Sequence, residues 1–96
     1  LGEPELARRS YEISRDLLEP EVLASPEDPR LRSSLGIVYA ALGRKEDAIR
    51  EGIRATELLP RSMDGFYYLP YVVDLAHIYT IVGEDVPGAS LKQIES

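Results

Sequence analysis

The single histidine, His77, stands three residues after Asp74, a spacing that sets both side chains on one face of a helix. Such a pair could supply two metal ligands, or an imidazole oriented by a carboxylate for proton transfer. A metal site needs three or four ligands, and no others are evident. No Ser-His-Asp arrangement can be read out either, because a lone histidine among scattered serines defines no order of roles. The acidic pairs Glu46-Asp47 and Glu84-Asp85 fall at expected helix ends, where capping explains them. A second chemistry is suggested by LGIVYAALGRKEDAI, residues 35–49, in which Gly36 and Gly43 precede Arg44-Lys45. A phosphate-binding loop clusters its glycines so that backbone N–H groups turn toward the ligand. Here IVYAAL separates them, a helix-compatible stretch, and nothing matches GxxxxGK[ST]. The expectation is therefore no catalytic residue, no metal, no cofactor and no enzymatic activity.

The elements that would carry these residues are helical. Leu6, Ser10, Ile13 and Leu17 recur at the spacing of one helix face, behind Pro4 in a first turn. Pro20 predicts a stop or kink near Leu18, and SPEDP at 25–29 reads as a turn. A second helix is expected from Arg30 to about Leu42, striped by Leu31, Leu35, Val38, Tyr39 and Leu42 and closed by Gly43. A third opens at Lys45-Glu46-Asp47, carries Ala48, Gly52, Ala55 and Leu59 on one face and ends before Pro60. Asp64-Gly65 is a turn signal, and Pro70 either starts or kinks a fourth helix. Val72, Leu75, Ala76, Tyr79 and Val82 follow, then Gly83, and a fifth helix spans Ala89 to Ser96 with Leu91 and Ile94. The fold class is thus all-α, with about five helices. Gly36 facing Ala48 or Gly52 would let two helices cross closely, with Gly43 as the turn between them.

Composition bounds the function. The 96 residues suffice for one small domain, at 44% hydrophobic and 29% charged. A net charge of −6, with bases interleaved among acids in RKEDAIREGIR, argues against nucleic acid. The chain has no cysteine, which removes thiolate chemistry and suits a reducing compartment, so a cytoplasmic protein is expected. No stretch approaches the ~18 apolar residues of a membrane span, so no membrane association is expected. The chain opens on Leu1 and ends on LKQIES within a helical pattern, so it is expected to be a piece of a longer protein.

Leu35-Gly36, Tyr39, Gly43, Ala48, Ala55 and Pro60 stand at the spacing of a tetratricopeptide repeat, and residues 29–60 resemble one full repeat. Leu75-Ala76, Tyr79 and Gly83 repeat part of that pattern with an offset of 40. A regular offset is about 34, so 61–68 is expected to be an insertion and 69–96 a truncated repeat. Ala24 and Pro29 echo Ala55 and Pro60, which makes 1–28 the second helix of a partial repeat plus a turn. The whole, 1–96, is then a single fragment of a helical-repeat solenoid. The sequence departs from the family pattern at Arg32 and Gly52, where the family carries large aromatic residues.

The resemblance implies a scaffold that binds a protein or peptide on its concave face, built from the first helix of each pair. Carried over by position, the lining is Arg30, Ser33, Ile37, Ala40 and Ala41, then Val73, Asp74, His77, Thr80 and Ile81. Lys and Asn clamp a C-terminal carboxylate in one subclass, but Ser33, Ile37 and Asp74 stand there, so such a tail is not expected. The alternative is an oligomerisation module joined through apolar end helices, since repeats cannot bury their faces alone. This implies a homo-oligomer, a dimer for this chain. Phe66, Tyr67, Tyr68 and Tyr71, with Leu91 and Ile94, are its candidate interface patch.

Overall fold

The computed structural model describes residues 3–58 and 65–83, with side chains from residue 70 onward in the last helix. Among them the chain is helical, in four helices: α1 (Glu3–Ala24), α2 (Pro29–Ala41), α3 (Lys45–Glu57) and α4 (Gly65–Val82). No described helix is long and apolar enough to cross a membrane.

Local chemistry explains most boundaries. Asp28 caps α2, its carboxylate accepting from the Arg30 N–H at 2.9 Å, and Pro29 opens the helix where no N–H partner is needed. At the other end Gly43 adopts φ +81, a left-handed conformation that a side chain resists. The Gly43 N–H donates to the Ala40 carbonyl and the Arg44 N–H to that of Tyr39, satisfying two carbonyls that the helix leaves open. Gly83, at φ +77, follows α4 in the same way. Glu46 and Asp47 occupy the first turn of α3, where the helix dipole favours acids.

Two expectations change. α1 does not stop near Leu18 but runs through Pro20 to Ala24. Proline removes one backbone hydrogen bond, yet Val22, just beyond it, is buried against α2 and holds the final turn in place. α4 begins at Gly65, so 65–68 of the expected insertion are already helical, and Pro70 lies inside the helix with its ring exposed. Pro60, Leu59 and the fifth helix with Leu91 and Ile94 lie outside the described residues.

The described helices are layered around α2, which packs on α1, α3 and α4; α3 also packs on α4, whereas among the described residues α1 packs on α2 alone. The core comprises Val22, Leu35, Tyr39, Ala40, Ala48 and Ile78, with Leu18, Leu31, Ile37, Ile49 and Val82 around it. Its tightest point is a three-helix crossing. A Cβ on Gly36 would come within 2.8 Å of Ile78 Cδ1, 3.1 Å of the Ala48 carbonyl and 3.2 Å of the Gly52 nitrogen. A Cβ on Gly52 would meet Leu75 and Ile78 Cδ1 at 2.8 and 2.9 Å. Ile78, fully buried, fills the notch that these two glycines leave. Because two of the neighbours of Gly36 are backbone atoms, they cannot rotate away. We expect Gly36→Val to lower stability by about 1–3 kcal/mol, read as a lower midpoint in urea unfolding with the helical spectrum retained before the transition.

Candidate functional site

The first helix face to consider is the one that α2 and α4 share. Arg30, Ile37 and Ala41 lie on one side of α2, and Val73, His77, Thr80 and Ile81 on one side of α4. A hydrogen bond joins the two helices: the Ser33 hydroxyl donates to Asp74 Oδ2 at 2.7 Å. Around it, Ala41, Val73, His77, Thr80 and Ile81 are exposed and Ile37 half-buried, so the surface is largely apolar with one imidazole.

Three of the predicted lining residues are not available there. Ser33 and Ala40 are buried, and Asp74 is occupied by the Ser33 hydroxyl. Sequence spacing placed them on the correct helices but could not show that a serine and an aspartate 41 positions apart would consume each other. Arg30 remains exposed, yet its guanidinium is turned to Asp28, with Nη2 3.0 Å from Oδ2. That guanidinium holds the Asp28 carboxyl below the usual range. Of the aromatic patch, Tyr71 is half-buried, while the side chains of Phe66, Tyr67 and Tyr68 lie outside the description.

The Ser33–Asp74 bond also bears on chemistry. In a nucleophilic triad the carboxylate orients an imidazole, and the imidazole takes the serine proton. Here the serine proton goes to the carboxylate itself, and Ser33 is buried while His77 faces solvent. Among the described residues no three His, Asp or Glu side chains gather into a group that could hold a metal ion.

Two further polar clusters sit at the other seams. Arg32 Nη1 lies 2.9 Å from Glu51 Oε1, and its Nε donates to the Pro26 carbonyl at 3.0 Å, tying α3 to the turn before α2. Glu51 is nearly buried, so this pair is a structural tie rather than a surface decoration. The second cluster runs from α1 to α3. The Tyr39 hydroxyl donates to Glu19 Oε2, and the Arg44 guanidinium stacks 4.2 Å from the Tyr39 ring centroid. Arg44 also meets Asp47 at 2.7 Å, and Asp47 accepts from Arg50 as well; Arg44 first, then Arg50, keeps its carboxyl below the ordinary range. A groove of about 520 Å³ separates α1 from α3, with Val22, Leu35 and Tyr39 among its walls beside Glu19 and Glu51. Both carboxylates are already engaged, Glu19 with Tyr39 and Glu51 with Arg32. The ties between helices were not legible from the sequence, whereas Arg44, Asp47 and Arg50 are neighbours three apart along α3 and its N-cap. Arg32 and Glu51 are 19 positions apart, and Glu19 and Tyr39 are 20 apart.

No family model, no curated protein and no solved structure matches this chain.

Two outcomes follow from the clusters. Arg32→Ala strands the nearly buried Glu51 carboxylate and should cost about 3 kcal/mol, whereas replacing both partners with Met and Leu should cost much less. A double-mutant cycle in urea measures the difference. Burial first, then the bond to Glu19 and its negative charge, push the Tyr39 hydroxyl up to about 12. The folded state therefore holds this proton more tightly than the unfolded chain, whose tyrosines titrate near ~10. The stabilisation is complete below about pH 10 and is lost as pH rises toward about 12. Urea midpoints followed across that range should fall more steeply for the native chain than for Tyr39→Phe.

Proposed function

We propose that this chain is a protein-interaction module of the tetratricopeptide-repeat kind, which binds a peptide or protein surface on the face shared by α2 and α4 and performs no chemistry itself. The observation that carries this reading is the side-by-side placement of α2 and α4, locked by Ser33–Asp74, with Val73, His77 and Ile81 turned to solvent beside Ile37. In this view α2 and α3 are one helical pair, α4 opens the next and α1 closes the previous one. The packing order supports this, since among the described helices α2 touches all three others and α1 touches α2 alone.

The two departures from the repeat pattern find partners. Arg32, in place of an aromatic, is anchored by Glu51 and the Pro26 carbonyl. Gly52, in place of a large aromatic, is filled from α4 by Leu75 and Ile78. The expected ligand is an extended or helical segment with apolar side chains for Val73, Ile37 and Ile81, since exposed apolar patches mark interaction sites. Net charge of −6 disfavours nucleic acid, and the lack of cysteine suits a cytoplasmic setting. A second reading, assembly of copies through end helices, is favoured by one observation: the far side of α1 carries exposed leucine and isoleucine side chains.

A displayed peptide library selected on the chain provides the test, with the affinity of a selected peptide measured by fluorescence anisotropy. Val73→Asp and Ile81→Asp, both at exposed positions, should weaken binding by about tenfold or more each while leaving the unfolding midpoint unchanged. Unchanged affinity in both variants, or failure to select any peptide, would sink this reading.

A further inference from the structure

α1 has two apolar stripes. Leu18 and Val22 face α2, with Tyr11 and the stem of Arg15 toward the same side. The other stripe is the regular one, Leu6, Ser10, Ile13 and Leu17, and it points away from α2. Leu6 and Ile13 are each 53% exposed and Leu17 is 68% exposed. Among the described residues no other helix touches α1. Ser10 fits an apolar seam because its hydroxyl already donates to the Leu6 carbonyl at 3.1 Å, leaving no donor to strand.

We propose that this stripe pairs with the same stripe of a second copy of the chain, antiparallel, about a two-fold axis near Tyr11 and Glu12. In that register Leu6 of one copy faces Leu17 of the other, and Ser10 faces Ile13, so small meets large twice. Charge selects the direction. Arg9 and Asp16 flank the stripe on one edge, seven residues apart, and Ser14 and Glu21 flank the other. Antiparallel helices bring like edges together, which sets Arg9 of each copy beside Asp16 of the other, twice over. Parallel helices bring opposite edges together and would set Asp16 against Glu21. The Asp16 side chain is 68% exposed even with Arg15 beside it, so it retains room for the second cation. The pattern is self-complementary, as a two-fold interface requires. It uses the side of the molecule opposite to α2 and does not rest on peptide binding by α2 and α4.

The test is sedimentation equilibrium of the whole chain at low salt, from micromolar to millimolar concentration, with circular dichroism as the check on folding. The native chain should reach twice the chain mass. Leu17→Asp should remain at one chain mass throughout. Arg9→Asp and Asp16→Arg, singly, should each weaken association by about tenfold, and the two together should restore it, because the swapped charges again oppose. A native chain that stays at one chain mass overturns the proposal. So does an association that Leu17→Asp leaves intact, or a charge swap whose double variant is no tighter than the singles.

Discussion

The close approach of α2, α3 and α4 is the constraint on which the remaining contacts depend. It exists because Gly36 and Gly52 omit two side chains at one point, and Ile78 occupies the space from a third helix. Helix axes that approach this closely carry their flanking residues with them. Ser33 then comes within hydrogen-bond reach of Asp74, and Arg32, one residue earlier, reaches Glu51. The short Ser33 side chain could not reach Asp74 across a wider crossing. Both polar pairs are inexpensive here because each buried polar atom is matched: among the described residues no buried side-chain nitrogen or oxygen lacks a partner.

The same geometry accounts for the difference between the two ends of the stack. α2, α3 and α4 enclose one another and share the fully buried positions Ala48, Ala55 and Ile78. α1 is held by a narrower set: Val22 and Leu18 in the core, and Glu19 bonded to Tyr39. All three lie in its C-terminal half. The exposed stripe runs along the opposite side from Leu6 to Leu17, and toward the N-terminus the polar contacts are helix-internal, such as Ser10 to the Leu6 carbonyl and Arg8 to Glu12. A 22-residue helix is thus anchored on α2 through its C-terminal half and, among the described residues, leaves a full apolar side uncovered.

Much of this was legible in the sequence, and the reasons for the rest are physical. The glycine and tyrosine spacing around α2 and α3 is a local pattern, so the pair and its Gly43 turn could be placed within a residue or two. Pro20 misled because proline's cost is local while the burial of Val22 that offsets it is tertiary. The stripe Leu6 to Leu17 was read correctly as one face of a helix, but periodicity says that a face is apolar, not what covers it. The face packed on α2 is the less regular one, carried by Leu18 and Val22. The polar ties between helices were invisible for a different reason: they join residues between 19 and 41 positions apart, and no local rule pairs them.

Those ties also bear on how the proposed binding face is built. A surface meant to receive an apolar segment must keep its helices at fixed separation without spending the residues that point outward. Ser33–Asp74 achieves this from beneath the face, where the buried hydroxyl donates to one carboxylate oxygen. It draws the half-buried Asp74 carboxylate toward α2 and leaves Val73, His77 and Ile81 exposed on the same helix. Binding energy from an incoming segment would then go into contact rather than into ordering α2 against α4, which is the advantage of a preorganised site. The α1 stripe lies on a different helix and points away from α2, and among the described residues α1 does not pack on α4, so occupation of one does not sterically require vacating the other.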